Sequence, residues 1–212
     1  MGNKGYFIVF EGIDGCGKGT QIKKLEGLFK DLGVDALFTR EPGGVRLSEK
    51  IRELLLDKEN DEMTDTCEML LFAASRSMSV EKLIVPALEA GKVVVCDRFL
   101  DSSIAYQGGA RGLGVEKVRN LNLVATNGLV PDLTILLDLD GQIGANRNQM
   151  MGGKDDRMES AGVAFQNKVR ETYLENAKLD MSRYLIVDAT KTREEIFDTI
   201  KSELVARGVI EC

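Results

Sequence analysis

Short apolar runs alternate with longer amphipathic stretches along the chain. Five runs of strand length are rich in aliphatic and aromatic residues, and they cover positions 6–10, 34–39, 92–97, 133–138 and 184–188. Apolar residues in the intervening segments recur three and four positions apart, which is the spacing of a helix that buries one face. Strands that are apolar on both faces and separated by helices are typical of parallel sheets. The pattern predicts a three-layer α/β protein with a five-stranded parallel sheet flanked by helices.

Helical spacing extends over most of the chain between these strands. Besides a helix that begins near Ile22, the predicted helices lie near 45–57, 65–90, 115–127, 159–181 and 192–206. Gly91 and Gly208 lie where two of the helices are expected to end. Because no Pro- or Ser-rich linker and no internal repeat interrupts the 212 residues, we expect one domain over 1–212.

Composition narrows the chemistry that the chain can perform. It has no histidine, which excludes imidazole general-base catalysis and histidine metal ligands. The net charge of −6 argues against broad binding of nucleic acids or membranes, so we expect a small anionic ligand. The four cysteines are too widely spaced for a zinc or redox pair, and no signal peptide or membrane span is visible. We therefore expect reduced thiols and a cytoplasmic location.

A glycine-rich segment, residues 11–21, joins the first strand to the first helix and has the sequence EGIDGCGKGTQ. Its glycines let successive backbone N–H groups converge on one anion at the positive end of the helix dipole. Lys18 can reach the terminal phosphates of a nucleoside triphosphate bound there. The residues predicted to bind the triphosphate are Gly12, Gly15, Cys16, Gly17, Lys18, Gly19 and Thr20.

This phosphate loop (P-loop) departs from the pattern G-x-x-x-x-G-K-[ST], because Gly19 stands at the hydroxyl position and Thr20 follows it. It resembles the G-K-G-T-Q form of adenylate kinases, which leaves open whether Thr20 contacts Mg²⁺ directly. Asp97 at the end of the third strand suits the water shell of Mg²⁺, and Glu11 at the end of the first strand is a further candidate. Either carboxylate could instead be a satisfied side chain at a strand end.

Further motifs follow the loop in order along the chain. They are FEGIDG at 10–15, TREPGG at 39–44, LLFAASR at 70–76, DRF at 97–99 followed by Ser102, Ser103, Ala105, Tyr106 and Gln107, and PDLT at 131–134. With these motifs, over about residues 6–140, the chain resembles the thymidylate kinases, P-loop enzymes that phosphorylate dTMP to dTDP with ATP. The resemblance implies ATP and dTMP as ligands, Mg²⁺ as cofactor and a homodimer.

The resemblance also implies roles for the residues of a dTMP site. Phe72 would stack on thymine, and Arg76, one helical turn later, would hydrogen-bond the edge of the base. Tyr106 would crowd the position of a 2′-hydroxyl group, which rejects ribonucleotides. The full implied set for dTMP is Asp14, Arg40, Phe72, Arg76, Arg98, Ser103, Tyr106 and Gln107.

The residues alone leave alternatives open at several of these positions. Phe72 could be ordinary helix core, and Arg76 could be an exposed arginine beside a surface acid. Asp14 could be a turn residue, and Arg40 could pair with Glu41 or Glu11.

A polar segment near 144–158 has two adjacent glycines among charged residues, and we expect it to be a hinged lid over ATP. A solvated polar loop is the alternative. Phosphoryl transfer depends mainly on aligning the substrates and neutralising charge, so no strong base is required. The catalytic candidates are Asp14, Lys18, Arg98, Arg147 and Arg157, with Lys154 in reserve.

Two other functions stay open at this point. The Gly19-Thr20 variant of the loop would also fit another nucleoside monophosphate kinase. A non-catalytic ATP-binding regulatory protein is less favoured, because Asn127-Gly128 does not complete the N-K-x-D signature of guanine-binding switches. Such a switch also has no need for a second phosphate-binding arginine after the third strand.

Overall fold

The computed structural model describes residues 5–150 and 162–211, and its strands form one parallel sheet in the order β2-β3-β1-β4-β5. The strands are β1 (Tyr6–Glu11), β2 (Ala36–Arg40), β3 (Val93–Asp97), β4 (Leu133–Asp138) and β5 (Tyr184–Asp188). Each lies within two residues of its predicted bounds. The predicted α/β class and the five-stranded parallel sheet are confirmed.

Helices connect successive strands of the sheet. They are α1 (Lys18–Leu32), α2 (Arg46–Leu56), α3 (Asp65–Ser79), α4 (Val85–Glu89), α5 (Leu100–Ser103), α6 (Val115–Ala125), α7 (Gly141–Met150), α8 (Gly162–Lys178) and α9 (Arg193–Ala206). A π-helical turn, Val80–Ile84, joins α3 to α4, so the helix predicted near 65–90 is nearly continuous. No described helix has the combination of length and apolar character needed to cross a membrane.

The central strand β1 explains why the strand runs are apolar without alternation. Phe7 and Val9 pack into one hydrophobic cluster, and Ile8 and Phe10 pack into another on the opposite face of the sheet. All four side chains are fully buried. A sheet covered by helices on both faces buries every position of its central strands, so a period of two is lost.

Two helical segments were missed in the sequence. Residues 100–110 form α5 and a second π-helical turn, Ile104–Ala110, where the sequence predicted no helix. The start of the expected lid is the helix α7, up to Met150, and residues 151–161 lie outside the described part of the chain. The π-helical turn packs against α8 and α6, so tertiary contacts stabilise a helix that local propensity does not favour.

The strand order decides which loops meet. Strand β1 pairs with β3 on one side and with β4 on the other. Ligands of parallel α/β sheets bind beyond the carboxyl ends of the strands, where neighbouring connections leave in opposite directions. The loop after β1 therefore lies between the residues that follow β3 and β4.

Candidate active site

The loop between β1 and α1 has the conformation of an anion cradle. Gly15 and Gly17 have φ angles of 77° and 98°, in the left-handed region that favours glycine. The Lys18 ammonium group lies over the loop and donates to the carbonyl oxygens of Gly12 at 2.9 Å and Ile13 at 3.1 Å. The N-terminus of α1 and the Lys18 charge thus face the same concavity.

A large cleft opens over this loop. Its volume is about 700 Å³, and the whole stretch 14–21 lines it together with Asp97 and Arg147. The predicted triphosphate residues from Gly15 to Thr20 therefore share one cavity. Gly12 does not line this cleft, and a Cβ atom there would come within 2.6 Å of the Leu137 carbonyl oxygen.

A second cavity of about 180 Å³ lies beside the first. Seven of the eight residues implied for dTMP line it, and they are Asp14, Phe72, Arg76, Arg98, Ser103, Tyr106 and Gln107. It is also lined by residues that the sequence analysis did not assign, which are Glu41, Pro42, Arg52, Leu56 and Ser102. Asp14 lines both cavities, so the two sites meet at this carboxylate.

Arg98 lines the smaller cavity and binds Asp14, the carboxylate that lines both cavities. It has a φ of 68°, which is uncommon for a residue with a side chain and often marks a functional site. Its guanidinium donates to Asp14 Oδ1 at 2.6 Å and to the Gly12 carbonyl oxygen at 3.0 Å, and it lies 5.1 Å from the centre of the Tyr106 ring. The phosphate loop, the smaller cavity and the end of β3 are therefore joined through one side chain.

The charge of Asp14 follows from these neighbours. Burial by itself raises the pKa of the Asp14 carboxyl group, but the positive charges of Arg98 and Lys18 outweigh burial and hold the pKa below its ordinary value. Asp14 is therefore ionised at neutral pH and, with Arg98, forms a charged pair at the junction of the cavities.

Arg76 is almost fully buried, so the alternative of an exposed surface arginine is wrong. Its Nε donates to Glu41 Oε2 at 2.7 Å, and its terminal nitrogens donate to Ser103 Oγ, Asn122 Oδ1 and the Phe99 carbonyl oxygen. These acceptors hold the guanidinium plane at the wall of the smaller cavity. Phe72, one turn earlier on α3, is half-buried and lines the same cavity.

The structure does not bring Arg40 into this cavity. Its side chain is half exposed and pairs with Glu49 at 2.9 Å, rather than with Glu41 or Glu11 as the sequence alternative suggested. Arg52, on α2, lines the cavity instead and donates to the Pro42 carbonyl oxygen at 3.0 Å. This guanidinium of the smaller cavity therefore comes from a helix, whereas the end of β2 lies at the edge of the sheet.

Glu41 is a buried carboxylate, and its protonation should make the free energy of unfolding depend on pH. Burial raises its pKa to about 7, although Arg76 lowers it in part. The folded protein thus retains this proton up to about pH 7, while the unfolded chain releases it near 4.5. Between these values the folded state binds more protons, so its stability falls as pH rises.

We expect Glu41→Gln to remove this dependence, because glutamine does not titrate. Relative to the variant, the wild type should lose up to about 3 kcal/mol of unfolding free energy between about pH 5 and pH 7. Urea unfolding of both proteins across this range measures the difference. An offset between them that stays constant with pH would contradict the shifted pKa.

The candidate metal ligands differ in position. Asp97 and Thr20 line the larger cleft, and Asp97 Oδ1 is buried with no partner among the described residues. The described residues contain no cluster of three acidic or cysteine side chains, so a bound Mg²⁺ would complete its shell with phosphate and water oxygens. An orphaned carboxylate oxygen beside a phosphate cradle fits that ion.

Glu11, the third metal candidate, does not line the larger cleft with Thr20 and Asp97. It is fully buried, and its oxygens accept hydrogen bonds from the Phe99 N–H, the Ser102 hydroxyl and the Tyr173 hydroxyl at 2.9, 2.6 and 2.7 Å. These hydrogen bonds satisfy the Glu11 carboxylate, and two of them hold the chain that follows β3.

Arg147 lies on α7 at the rim of the larger cleft, where it donates to the Ala189 carbonyl oxygen at 3.0 Å. The helix approaches the phosphate loop closely, since a Cβ atom at Gly144 would come within 2.6 Å of the Asp14 carbonyl oxygen. The other two lid candidates, Lys154 and Arg157, lie outside the described residues.

Known proteins are similar in sequence to this chain over nearly its whole length. The family model for thymidylate kinase matches residues 10–200. The chain belongs to the thymidylate kinase family. A thymidylate kinase of Caldanaerobacter subterraneus subsp. tengcongensis is 51% identical over 87% of this chain and 88% of its own length. Those of Geobacillus thermodenitrificans and Lactobacillus acidophilus are 46% and 44% identical over 96% of this chain, and the matches cover 91% and 95% of their own lengths.

Membership of the thymidylate kinase family confirms the resemblance drawn from the sequence motifs. The residues missed in the second cavity had weak signals in the sequence. Arg52 and Leu56 are four positions apart on α2, a spacing that places them on one face of the helix. Nothing local shows that this face meets α3.

Proposed function

We propose that this chain transfers the γ-phosphoryl group of ATP to dTMP and releases dTDP and ADP. The proposal rests on two adjacent cavities, a phosphate cradle and a smaller pocket of mixed aromatic and polar walls, that meet at the Asp14–Arg98 pair. Phosphoryl transfer needs the donor and acceptor phosphates in line and close together. Two cavities joined at a charged pair provide that arrangement.

The smaller cavity is the proposed dTMP site. Phe72 stacks on thymine there, and Arg76, Ser103 and Gln107 offer polar atoms to the base. Arg98 and Arg52 hold the phosphate, since guanidinium groups bind phosphate oxygens with paired hydrogen bonds. Asp14 positions Arg98 and lies beside the sugar and phosphate.

The larger cleft is the proposed ATP site. The loop amides, the N-terminus of α1 and Lys18 bind the phosphates, and Arg147 contributes charge from the rim. Thr20 and Asp97 would hold Mg²⁺, which would neutralise charge on the phosphates. The acceptor is itself an anionic phosphate oxygen, so the site needs no general base.

Three further features complete the proposal. Of the lid predicted at 144–158 within a single domain, residues 144–150 lie on α7, whereas Lys154 and Arg157 lie outside the described residues. Exposed apolar side chains on α2, α3 and α6 support a homodimer, and they are Leu47, Leu54, Leu70, Leu123 and Val124. Helix α3 packs against both α2 and α6, so these side chains lie on neighbouring helices. A monomer mass by light scattering would contradict the dimer.

The unpaired cysteines Cys16, Cys67 and Cys96 agree with a cytoplasmic location.

An acceptor panel tests the reaction. With ATP and Mg²⁺ as donor, the purified protein is given dTMP, dUMP, AMP, CMP or UMP, and ADP release is followed for each. We expect the highest kcat/KM with dTMP. A preference for AMP would support another nucleoside monophosphate kinase, and binding of ATP without turnover of any acceptor would support a regulatory protein.

We expect Tyr106→Ala to reduce discrimination between dTMP and ribothymidine monophosphate. The Tyr106 ring is buried between Arg98, Phe165 and Tyr173 and cannot move aside for a 2′-hydroxyl group. The ratio of kcat/KM for the two acceptors measures the effect independently of the fraction of folded enzyme. An unchanged ratio would exclude steric exclusion by this ring.

A further inference from the structure

A buried carboxylate lies directly behind the proposed base pocket. Helix α3 presents Glu68, Phe72 and Arg76 at intervals of four residues, so the three side chains share one face. Phe72 and Arg76 line the pocket, whereas Glu68 is fully buried and does not. No motif in the sequence pointed to Glu68.

Glu68 contacts the pocket through Gln107. Its Oε1 accepts a hydrogen bond from Gln107 Nε2 at 2.9 Å, and its Oε2 lies 3.2 Å from a terminal nitrogen of Arg111. The Arg111 guanidinium is itself held over the Phe165 ring at 5.3 Å. The Arg111 guanidinium is therefore held beside the Glu68 carboxylate.

These contacts set the direction of the Gln107 amide. The Glu68 oxygen accepts this hydrogen bond, so the amide nitrogen of Gln107 faces Glu68. Gln107 lines the pocket, and its amide oxygen Oε1, at the other end of the amide from Glu68, has no hydrogen-bond partner in the part of the chain that the structure describes. Without the contact to Glu68, the Gln107 amide could present either its nitrogen or its oxygen to the pocket.

We propose that Glu68 is a positioning residue that makes the pocket selective for a base with an N–H donor, thymine or uracil, over cytosine. The proposal rests on the function proposed above. Thymine carries a hydrogen on N3, which can donate to Gln107 Oε1, whereas N3 of cytosine is an acceptor. Two acceptors facing each other in a buried site leave both without a partner, and sites built this way discriminate strongly.

If Glu68 served only as an ion-pair partner of Arg111, removing another carboxylate beside Arg111 would lower the selectivity for dTMP to the same extent. Asp65 is a second carboxylate next to Arg111, at 3.4 Å from its Nε, but it is partly exposed. Among the described residues it makes no hydrogen bond to Gln107. Asp65→Asn is therefore the matched control, because it removes the same charge near the same arginine and leaves the Gln107 contact intact.

The test compares wild type, Glu68→Gln and Asp65→Asn with dTMP and dCMP as acceptors. Glutamine at 68 can accept or donate, so the Gln107 amide can adopt both directions. We expect Glu68→Gln to lower the ratio of kcat/KM for dTMP over dCMP by about tenfold or more, mainly through a higher KM for dTMP. Asp65→Asn should keep the wild-type ratio.

A swapped double variant, Glu68→Gln with Gln107→Glu, covers the case in which Glu68→Gln folds poorly. It restores the hydrogen bond with donor and acceptor exchanged, and a carboxylate at 107 presents an acceptor oxygen to the pocket. We expect it to recover the preference for dTMP over dCMP. A wild-type ratio in Glu68→Gln, an equal fall in Asp65→Asn, or a swap without recovery would overturn the proposal.

Wild-type activity separates this proposal from the function on which it rests. No turnover of dTMP by the wild type would contradict the proposed function itself. Normal turnover of dTMP with an unchanged ratio in Glu68→Gln would contradict the positioning role of Glu68 alone.

Discussion

Replacing Arg98 with alanine should lower kcat/KM for dTMP by roughly 10- to 150-fold, the effect of losing a charge-assisted contact of roughly 1.5–3 kcal/mol. The side chain joins Asp14 Oδ1, the Gly12 carbonyl oxygen and the Tyr106 ring. Its loss leaves the Asp14 carboxylate partly buried without its nearest cation. Steady-state kinetics with dTMP varied at saturating ATP measure the change.

Two further variants show whether position or charge matters. Arg98→Lys should have an intermediate effect, because an ammonium group keeps the charge but lacks the planar fork of paired donors that a guanidinium presents to carboxylate and phosphate oxygens. Arg40→Ala should cost less than about 1 kcal/mol, since Arg40 forms a half-exposed ion pair with Glu49 outside the pocket. Full activity of Arg98→Ala, or an equal loss in Arg40→Ala, would remove Arg98 from its proposed role.

Gly144→Ala should destabilise the protein by about 1–3 kcal/mol, which is the usual cost of forcing an extra methyl group into a packed site. The new Cβ would lie 2.6 Å from the Asp14 carbonyl oxygen and 3.1 Å from Ile13 Cδ1. Because the backbone of the phosphate loop must move to accommodate it, kcat should fall as well. Urea unfolding and turnover of dTMP are the measurements.

Gly27→Ala is the matched control for this change. Gly27 lies in the exposed interior of α1, and a Cβ atom there meets nothing within 4 Å. Helix propensity alone favours alanine by roughly 0.5–1 kcal/mol, so this variant should be more stable than the wild type. If Gly144→Ala gained stability in the same way, the close contact between α7 and the loop would not constrain the site.

The strands and the phosphate loop could be predicted because their signals are local. A run such as Val93–Cys96 has one favourable state, a strand covered on both faces, and the loop at 11–21 combines glycines, a lysine and a following helix. The segment 100–110 could not be predicted in the same way. Its helical turns depend on packing against α8 and α6, which no window of sequence contains.

Side-chain roles divide along the same line. The four-residue spacing of Phe72 and Arg76 was enough to place both on one face, and both line the pocket. Glu68 continues that spacing, but its contact with Gln107 joins α3 to a π-helical turn 39 residues later. The position of Glu11 at a strand end suggested a metal ligand, yet its carboxylate accepts a hydrogen bond from the hydroxyl of Tyr173 on α8.

The sequence by itself determined the α/β class, the position of the phosphate cradle and the family to which the chain belongs. Tertiary structure decided which of several similar side chains reach the site. Arg40 and Arg98 both lie at or just after the end of a strand, but β2 is at the edge of the sheet and β3 is next to its centre. Arg40 therefore pairs with Glu49 near solvent, and Arg52 enters the pocket from α2. Strand order and helix packing fix these distances between residues far apart in the chain, and local spacing carries no information about them.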